Sequence, residues 1–273
     1  MKAFTLLSLS LICLGIYLFV QAPPPLETVG QKQGKKDISS HVLFMTVNNI
    51  NAEARAIYTG QIVGNGKKAG LKFGEKWNAQ GVDEGPLPAL FLREVSKELE
   101  KRPLQLGLYL GSDNPISPSN AFTKDTLTYF KEMVAQNAPV FRALEGYGNI
   151  AMFPDIASAQ PCVTCHNEHD DSPKKDWKLG DTMGATTWTW PSEYVSKQEL
   201  NDAVISTYKA IESAYGNYLD KSKTFRNPPE ILNDWPGEGR YVLPNKQLFM
   251  QTLVDKSASN SLELVINAYE EEL

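Results

Sequence analysis

The sequence predicts an α+β fold with a helical C-terminal extension, on three observations. Short alternating segments are interleaved with helical stretches, no internal repeat is present, and the last third carries two long helical patterns. With 273 residues, 42% hydrophobic and 22% charged, the chain is long enough for one large core, alone or with a helical appendage. Its net charge of −5 argues against nucleic acid or an anionic membrane surface as the main partner.

Lys2 precedes an apolar run from Phe4 to Val20, and the chain then turns to Gln21-Ala22-Pro23-Pro24-Pro25, the order of an export signal. The run of about 17 residues is at the lower limit for a membrane span. Pro23 is a poor residue to follow a cleavage point at Ala22. A retained anchor over residues 4–20 is therefore favoured over a signal cleaved within 1–22. Either way the body is expected outside the cytoplasm, in the periplasm or an equivalent compartment. Residues 23–38, rich in Pro, Gly, Gln and Lys, read as a linker.

Ser39 or Ser40 can cap a first helix in which Leu43, Val47, Ile50, Ala54 and Ile57 share one face. That helix should reach about Val63 and falter at Gly64-Asn65-Gly66. Leu87-Pro88 opens a second helix, with Phe91, Val95 and Leu99 inward, which Pro103 stops. Leu104, Leu106, Leu108 and Leu110 alternate as a strand with one buried face. Thr123 to Asn137 is helical, with Leu127, Phe130 and Val134 inward. Val140–Leu144 and Ile150–Phe153 form a strand pair about Gly146-Tyr147-Gly148, and Met183–Trp190 alternates as another strand. Beyond Pro191, Leu200, Val204, Tyr208, Ile211, Tyr215 and Tyr218 mark a long amphipathic helix. A last helix over about 245–272 is expected to break around Ser257-Ala258-Ser259.

The chemistry is concentrated in Cys162-Val163-Thr164-Cys165-His166, the pentapeptide of covalent haem attachment. Its two thiols form thioethers with the porphyrin vinyl groups, and the adjacent histidine supplies an axial imidazole to iron. Two other chemistries use the same residue types. Cys162, Cys165, His166 and His169 are zinc-type ligands, but four within eight residues would grip one loop, whereas structural zinc pins two segments together. A redox-active dithiol sits in a βαβ setting, which is missing here. Cys13 belongs to the export segment, so no disulfide framework competes. One covalent haem c is the favoured reading, with His169 a surface residue or a neighbour of a haem propionate.

Leu87-Pro88-Ala89, the loop Gly111-Ser112-Asp113-Asn114-Pro115 with Asn120 after it, Cys162–His166, and Gly180-Asp181-Thr182-Met183-Gly184-Ala185 followed by Pro191 form an ordered set. Over about residues 40–192 this set resembles the PAS-like single-haem c domain, long catalogued as a domain of unknown function and often found as the extracytoplasmic sensor part of bacterial signalling proteins. The resemblance implies a PAS-like antiparallel sheet over 39–192, with haem held between the sheet and the long first helix. Some members use a cysteine near the end of that helix on the other face of the iron. This chain has Ala56-Ile57-Tyr58-Thr59-Gly60 there, so that ligand does not carry over. His41 and Met45 are chemically suited to replace it, but they lie opposite the apolar stripe and more than about 20 Å of helix before Gly60. The distal ligand is left open between these two weak candidates and an open or weakly held site, for which Tyr58 is a candidate pocket residue. Asn114 and Asn120 are candidate propionate partners, and Trp177, Trp188 and Trp190 either line the haem or belong to the core.

The expected function is that of an extracytoplasmic mono-haem c-type cytochrome, acting as a haem-based redox or small-ligand sensing module. A redox or signalling protein would be its partner and a small gas its candidate ligand. The alternative is a periplasmic electron-transfer cytochrome. An enzyme is least favoured, because no phosphate-binding glycine loop, nucleophile elbow or carboxylate pair is recognisable. Residues 193–273 are expected to serve as a homodimer or partner surface, or as a helical cover for the core.

Overall fold

The computed structural model describes residues 38–146 and 148–270, with the backbone path alone over 259–270. The expected export segment over 1–22, and the linker over 23–38 except Ile38, lie outside the described residues. Among those residues no helix is long and apolar enough to cross a membrane.

The chain begins with β1 (Ile38–Ser39) and α1 (Ser40–Ile57), continues through a π-helical segment (Tyr58–Gly64), and closes this stretch with α2 (Asn65–Ala69). Next come β2 (Phe73–Gly74), β3 (Gly85–Pro86), α3 (Pro88–Glu100), β4 (Gly107–Gly111) and α4 (Lys124–Gln136). Strands β5 (Val140–Leu144) and β6 (Gly148–Ile156) lead into α5 (Gln160–Glu168), followed by β7 (Thr182–Trp190) and β8 (Tyr194–Val195). The C-terminal part contributes α6 (Lys197–Ser222), β9 (Glu230–Leu232), β10 (Val242–Pro244) and α7 (Lys246–Glu270).

Four of the strands form an antiparallel sheet in the order β4-β7-β6-β5, so the expected α+β class holds. Alternation divides its residues between two faces. Ile150, Met152 and Ala185 point to α4, where they meet Phe130 and Met133. Leu108, Ala151, Phe153, Trp188 and Trp190 point the other way into the main core. There α1 crosses β6 and β7 while α3 packs on β4, and α6 and α7 cover both helices from outside. The molecule is thus layered as helix, sheet, helix pair, helix pair.

Local chemistry explains most boundaries. Ser39 Oγ accepts the backbone N–H of His41 at 3.3 Å and caps α1. Gly70, at φ 98°, ends α2 in the left-handed conformation that glycine adopts without a Cβ penalty. Ser196 and Glu199 form a reciprocal capping box at the start of α6.

Two expectations within the helices are corrected. Val134 is 45% exposed, and Met133 is buried in its place, because Leu127, Phe130 and Met133 define the inward face at i, i+3 and i+6. The last helix does not break at Ser257-Ala258-Ser259. Ser257 Oγ bonds back to Leu253 O at 2.7 Å and meets the Tyr208 hydroxyl at 2.8 Å, so a fully buried serine is satisfied inside an unbroken helix.

The C-terminal extension is a cover for the core rather than a separate body. Ala210, Ile211, Tyr215, Phe249 and Leu253 share one buried cluster with Leu43, Phe44, Val47 and Ile50 of α1. Tyr58 belongs to this cluster too. It is fully buried, stacks on Phe91 at 4.1 Å, and donates its hydroxyl to Pro86 O at 2.8 Å. Burial pushes its pKa well above the ordinary value, and the ring sits in the core rather than in a pocket.

Phe249 stacks on Tyr215 at 4.2 Å and meets Phe91 edge-on at 6.2 Å. Phe249→Ala should therefore cost about 3–5 kcal/mol in denaturant unfolding. A chain ending after Trp190 should give no cooperative transition. Tyr58→Phe should cost about 1–2 kcal/mol in the same measurement by stranding the Pro86 carbonyl.

Candidate haem site

Strand β6 delivers the chain to the site. Past Ile156, the Ala157 N–H donates to Asp181 O at 2.9 Å and the Gly180 N–H donates to Ala157 O at 3.1 Å, clamping the strand end to the approach to β7. Gly180 reaches φ 89°, a conformation costly for other residues. Pro161 in the first turn then starts α5, where a missing N–H costs nothing.

On α5 the spacing i, i+3, i+4 puts Cys162, Cys165 and His166 on one side within about 100° of arc. Val163 points the other way and is buried with Ala157 and Trp177, with Met183 packed against them. That anchor turns the two thiols outward. Cys162 is half-buried, Cys165 is exposed, and neither is in a disulfide. Partial burial of its sulfur, and then the nearby Glu75 carboxylate, raise the Cys165 pKa.

His166 stands edge-on to Trp177 at 6.4 Å, and its Nδ1 is buried without a partner. Burial, helped by His169, lowers its pKa, which keeps the imidazole neutral and able to ligate a metal. A reciprocal bracket holds the helix to this wall: Asn167 Nδ2 donates to Trp177 O at 3.0 Å, and the Trp177 N–H donates to Asn167 Oδ1 at 2.8 Å. His169 is engaged elsewhere. Its Nε2 lies 3.2 Å from Glu75 Oε1, and its Nδ1 accepts the Asp171 N–H at 3.1 Å. Among the described residues no three His, Cys, Asp or Glu side chains gather as a metal-binding group.

A cleft of about 410 Å³ opens between α1 and the end of β6. Asn48, Asn51, Ala52 and Arg55 line it from α1, Thr59 and Gly60 from the π-helical segment, and Phe153 to Ile156 from β6. Ser158 also lines it, two residues before α5 begins. A side chain at Gly60 would meet only open space. Arg55 pairs with Asp155, which also accepts the Thr186 hydroxyl at 2.9 Å. Asn48 Oδ1 accepts the Trp188 indole N–H at 3.1 Å. Asn51 is 1% exposed and its Oδ1 has no partner, a desolvation cost of about 1–3 kcal/mol.

These residues fit a haem. The two thiols lie on the outer side of a helical turn, and the neutral histidine beside them carries an orphaned ring nitrogen, while the cleft reaches the chain before this helix at Ser158 and is lined by none of its residues. The pairs Asn48–Trp188 and Arg55–Asp155 and the amide of Asn51 were missed by sequence reasoning. Their signal was a second stripe on α1: His41, Met45, Asn48, Ala52, Arg55 and Thr59 recur at helical spacing.

Other expected site residues lie elsewhere. Tyr58 turns away from its cleft-lining neighbour Thr59 into the core. The Asn114 N–H donates to Ser112 Oγ at 3.0 Å in the loop after β4, and that hydroxyl in turn donates to Met183 O at 2.7 Å. Asn114 and Asn120 are not cleft residues. His41 is exposed and stacks on Phe141 at 4.3 Å, while Met45 packs against the main core. Both share the cleft-facing stripe of α1, but neither lines the cleft. Trp188 and Trp190 are core residues, and Trp177 forms the wall behind His166.

Comparison with curated proteins and with solved structures finds no match. A family model, that of the Tll0287-like domain, matches residues 31–191, which take in α1, the whole sheet, the cleft and the cysteine helix. The match spans more than half of the chain, and the protein is a member of the Tll0287-like family.

Proposed function

We propose that this protein is an exported mono-haem c-type cytochrome whose PAS-like domain senses redox state or a small ligand. Cys162 and Cys165 would carry the thioether bonds, and His166 would hold one axial position of the iron. The haem, once bound, would supply a redox-active iron. Everything else falls to the protein. Val163, Asn167 and Trp177 orient the helix that presents the two thiols and the imidazole, and Trp177 shields His166 from water on one side.

One observation carries the sensing reading: the stretch Ala56–Gly60, where the resembled domain places its second iron ligand, holds no His, Met or Cys. A haem held by the pentapeptide would lack that protein ligand, and an open iron admits a small ligand. The electron-carrier reading draws on a different observation, the presence of His41 and Met45 on the cleft-facing stripe of α1. The apolar run over 4–20 supports an extracytoplasmic location with membrane anchoring, and a redox or signalling protein as partner.

After expression with c-type maturation, the intact protein should gain the mass of one haem and give a pyridine haemochrome spectrum. The double variant Cys162→Ala/Cys165→Ala should lose both. Zinc in place of haem would overturn the proposal. With haem attached, the reduced protein should shift its Soret band on adding carbon monoxide. A six-coordinate spectrum inert to carbon monoxide and nitric oxide would favour the electron carrier.

A further inference from the structure

We infer that Arg93 is a carboxylate-binding residue, set to hold a propionate of the group that Cys162 and Cys165 would attach. The inference rests on the haem reading above and adds a residue for the far edge of the porphyrin.

Arg93 is partly withdrawn from water and gains no partner in return. It lies half-buried on α3, and burial pushes its pKa down while the guanidinium stays charged. Among the described residues no hydrogen bond or ion pair engages it. Glu94, its neighbour in sequence, holds Lys97. Glu75 acts on Arg93 only through space, because its carboxylate meets His169 Nε2 at 3.2 Å. A charge taken from water is normally paired, since its lost hydration must be offset. An anionic ligand would supply the missing partner.

The surroundings of Arg93 lead back to α5. Glu75, the first residue past β2, acts on the Arg93 guanidinium and on the Cys165 sulfur alike. Its contact with His169 ties it to the chain just past α5. Arg93 therefore lies one carboxylate side chain away from the thiol-bearing helix. A porphyrin joined to α5 by its two vinyl groups carries both propionates on the opposite edge, away from the sulfurs. A cation set back from the thiols suits that edge. Lys67, which acts on Cys165 directly, is exposed and served by water. The planar guanidinium also matches a carboxylate with two parallel N–H···O bonds, which a lysine ammonium does not form.

The full-length Cys162→Ala/Cys165→Ala protein, titrated with haemin and with haemin dimethyl ester, isolates the contribution of the carboxylates. Adding Arg93→Gln should weaken haemin binding about tenfold or more, the effect of losing one charge-assisted hydrogen bond. The ester, which lacks both carboxylates, should change by less than about twofold, and Arg93→Lys should recover part of the haemin affinity. Equal weakening for haemin and ester, or no change for either, would show that Arg93 holds no carboxylate of the porphyrin. Binding of succinate to the unloaded protein, lost in Arg93→Gln, would assign the residue to a free carboxylate instead and overturn the inference. The matured protein gives a second measurement. The propionate bending band of its resonance Raman spectrum should move in Arg93→Gln and stay in place in Glu94→Gln. An unmoved band in a protein that carries haem sinks this inference and leaves haem attachment standing. A protein that attaches no haem and binds no haemin sinks both.

Discussion

Helix α1 packs between two layers, burying its apolar face fully and its opposite face in part, and the rest of the fold is arranged around that demand. Its apolar stripe of Leu43, Val47, Ile50, Ala54 and Ile57 is buried against the helices beyond it. Each large member stabilises the fold by about 1.5–3 kcal/mol through burial. The opposite stripe lies across β6 and β7, where Trp188 hydrogen-bonds Asn48. A sheet alone could cover only one of these faces. Helices α6 and α7 cover the other, and Asn49 Nδ2 donates to Ser257 O at 3.1 Å to fix α7 along it. The C-terminal part is for this reason a layer of the same core.

The sheet-facing stripe is also where the structure accepts polar cost. Arg55 and Asp155 keep 32% and 15% of their side-chain surface exposed, and a partly exposed pair of this kind contributes about 0–1 kcal/mol. Asn51 contributes less than nothing while its carbonyl stays unpaired. Packing alone would favour apolar residues at these positions, since Ala52 and Ala56 leave room beside them. A cleft, an ion pair and a stranded amide on the face that crosses the sheet are features of a site rather than of a core.

The sequence made the backbone largely legible because its signals were local. Pro88 and Pro103 bracket α3, which runs over Pro88–Glu100, and the apolar period of α1 shows in burial at every predicted position. The cysteine pentapeptide was legible for the same reason, since its chemistry depends on neighbours within one helical turn. What was lost depended on partners far along the chain. A stripe such as Asn48, Ala52, Arg55 and Thr59 reads as solvent-facing until β6 is laid across it. Tyr58 was placed in a pocket because its stretch of chain is right, yet one residue is about 100° of helical rotation, and Thr59 rather than Tyr58 meets the cleft. Ser257 reads as a helix breaker until Tyr208, distant in sequence, supplies its partner.

Helices α1 and α5 are held by different means, and this bears on what each can do. Helix α1 is locked between two layers, with side chains fully buried along most of its length. Helix α5 buries one residue, Val163, in a cluster of three separate from both larger cores, and is otherwise tied down by the Asn167–Trp177 bracket. Close-packed elements resist displacement, whereas elements with few buried contacts open at low cost. A helix that presents two outward thiols and a histidine needs access during attachment, when both thiols must be reached. Light packing provides that access, and two thioether bonds would then hold the group without further burial. The position of the cleft wall is set instead by the rigid helix α1, so a side chain such as Asn51 is held at a fixed place beside the cleft.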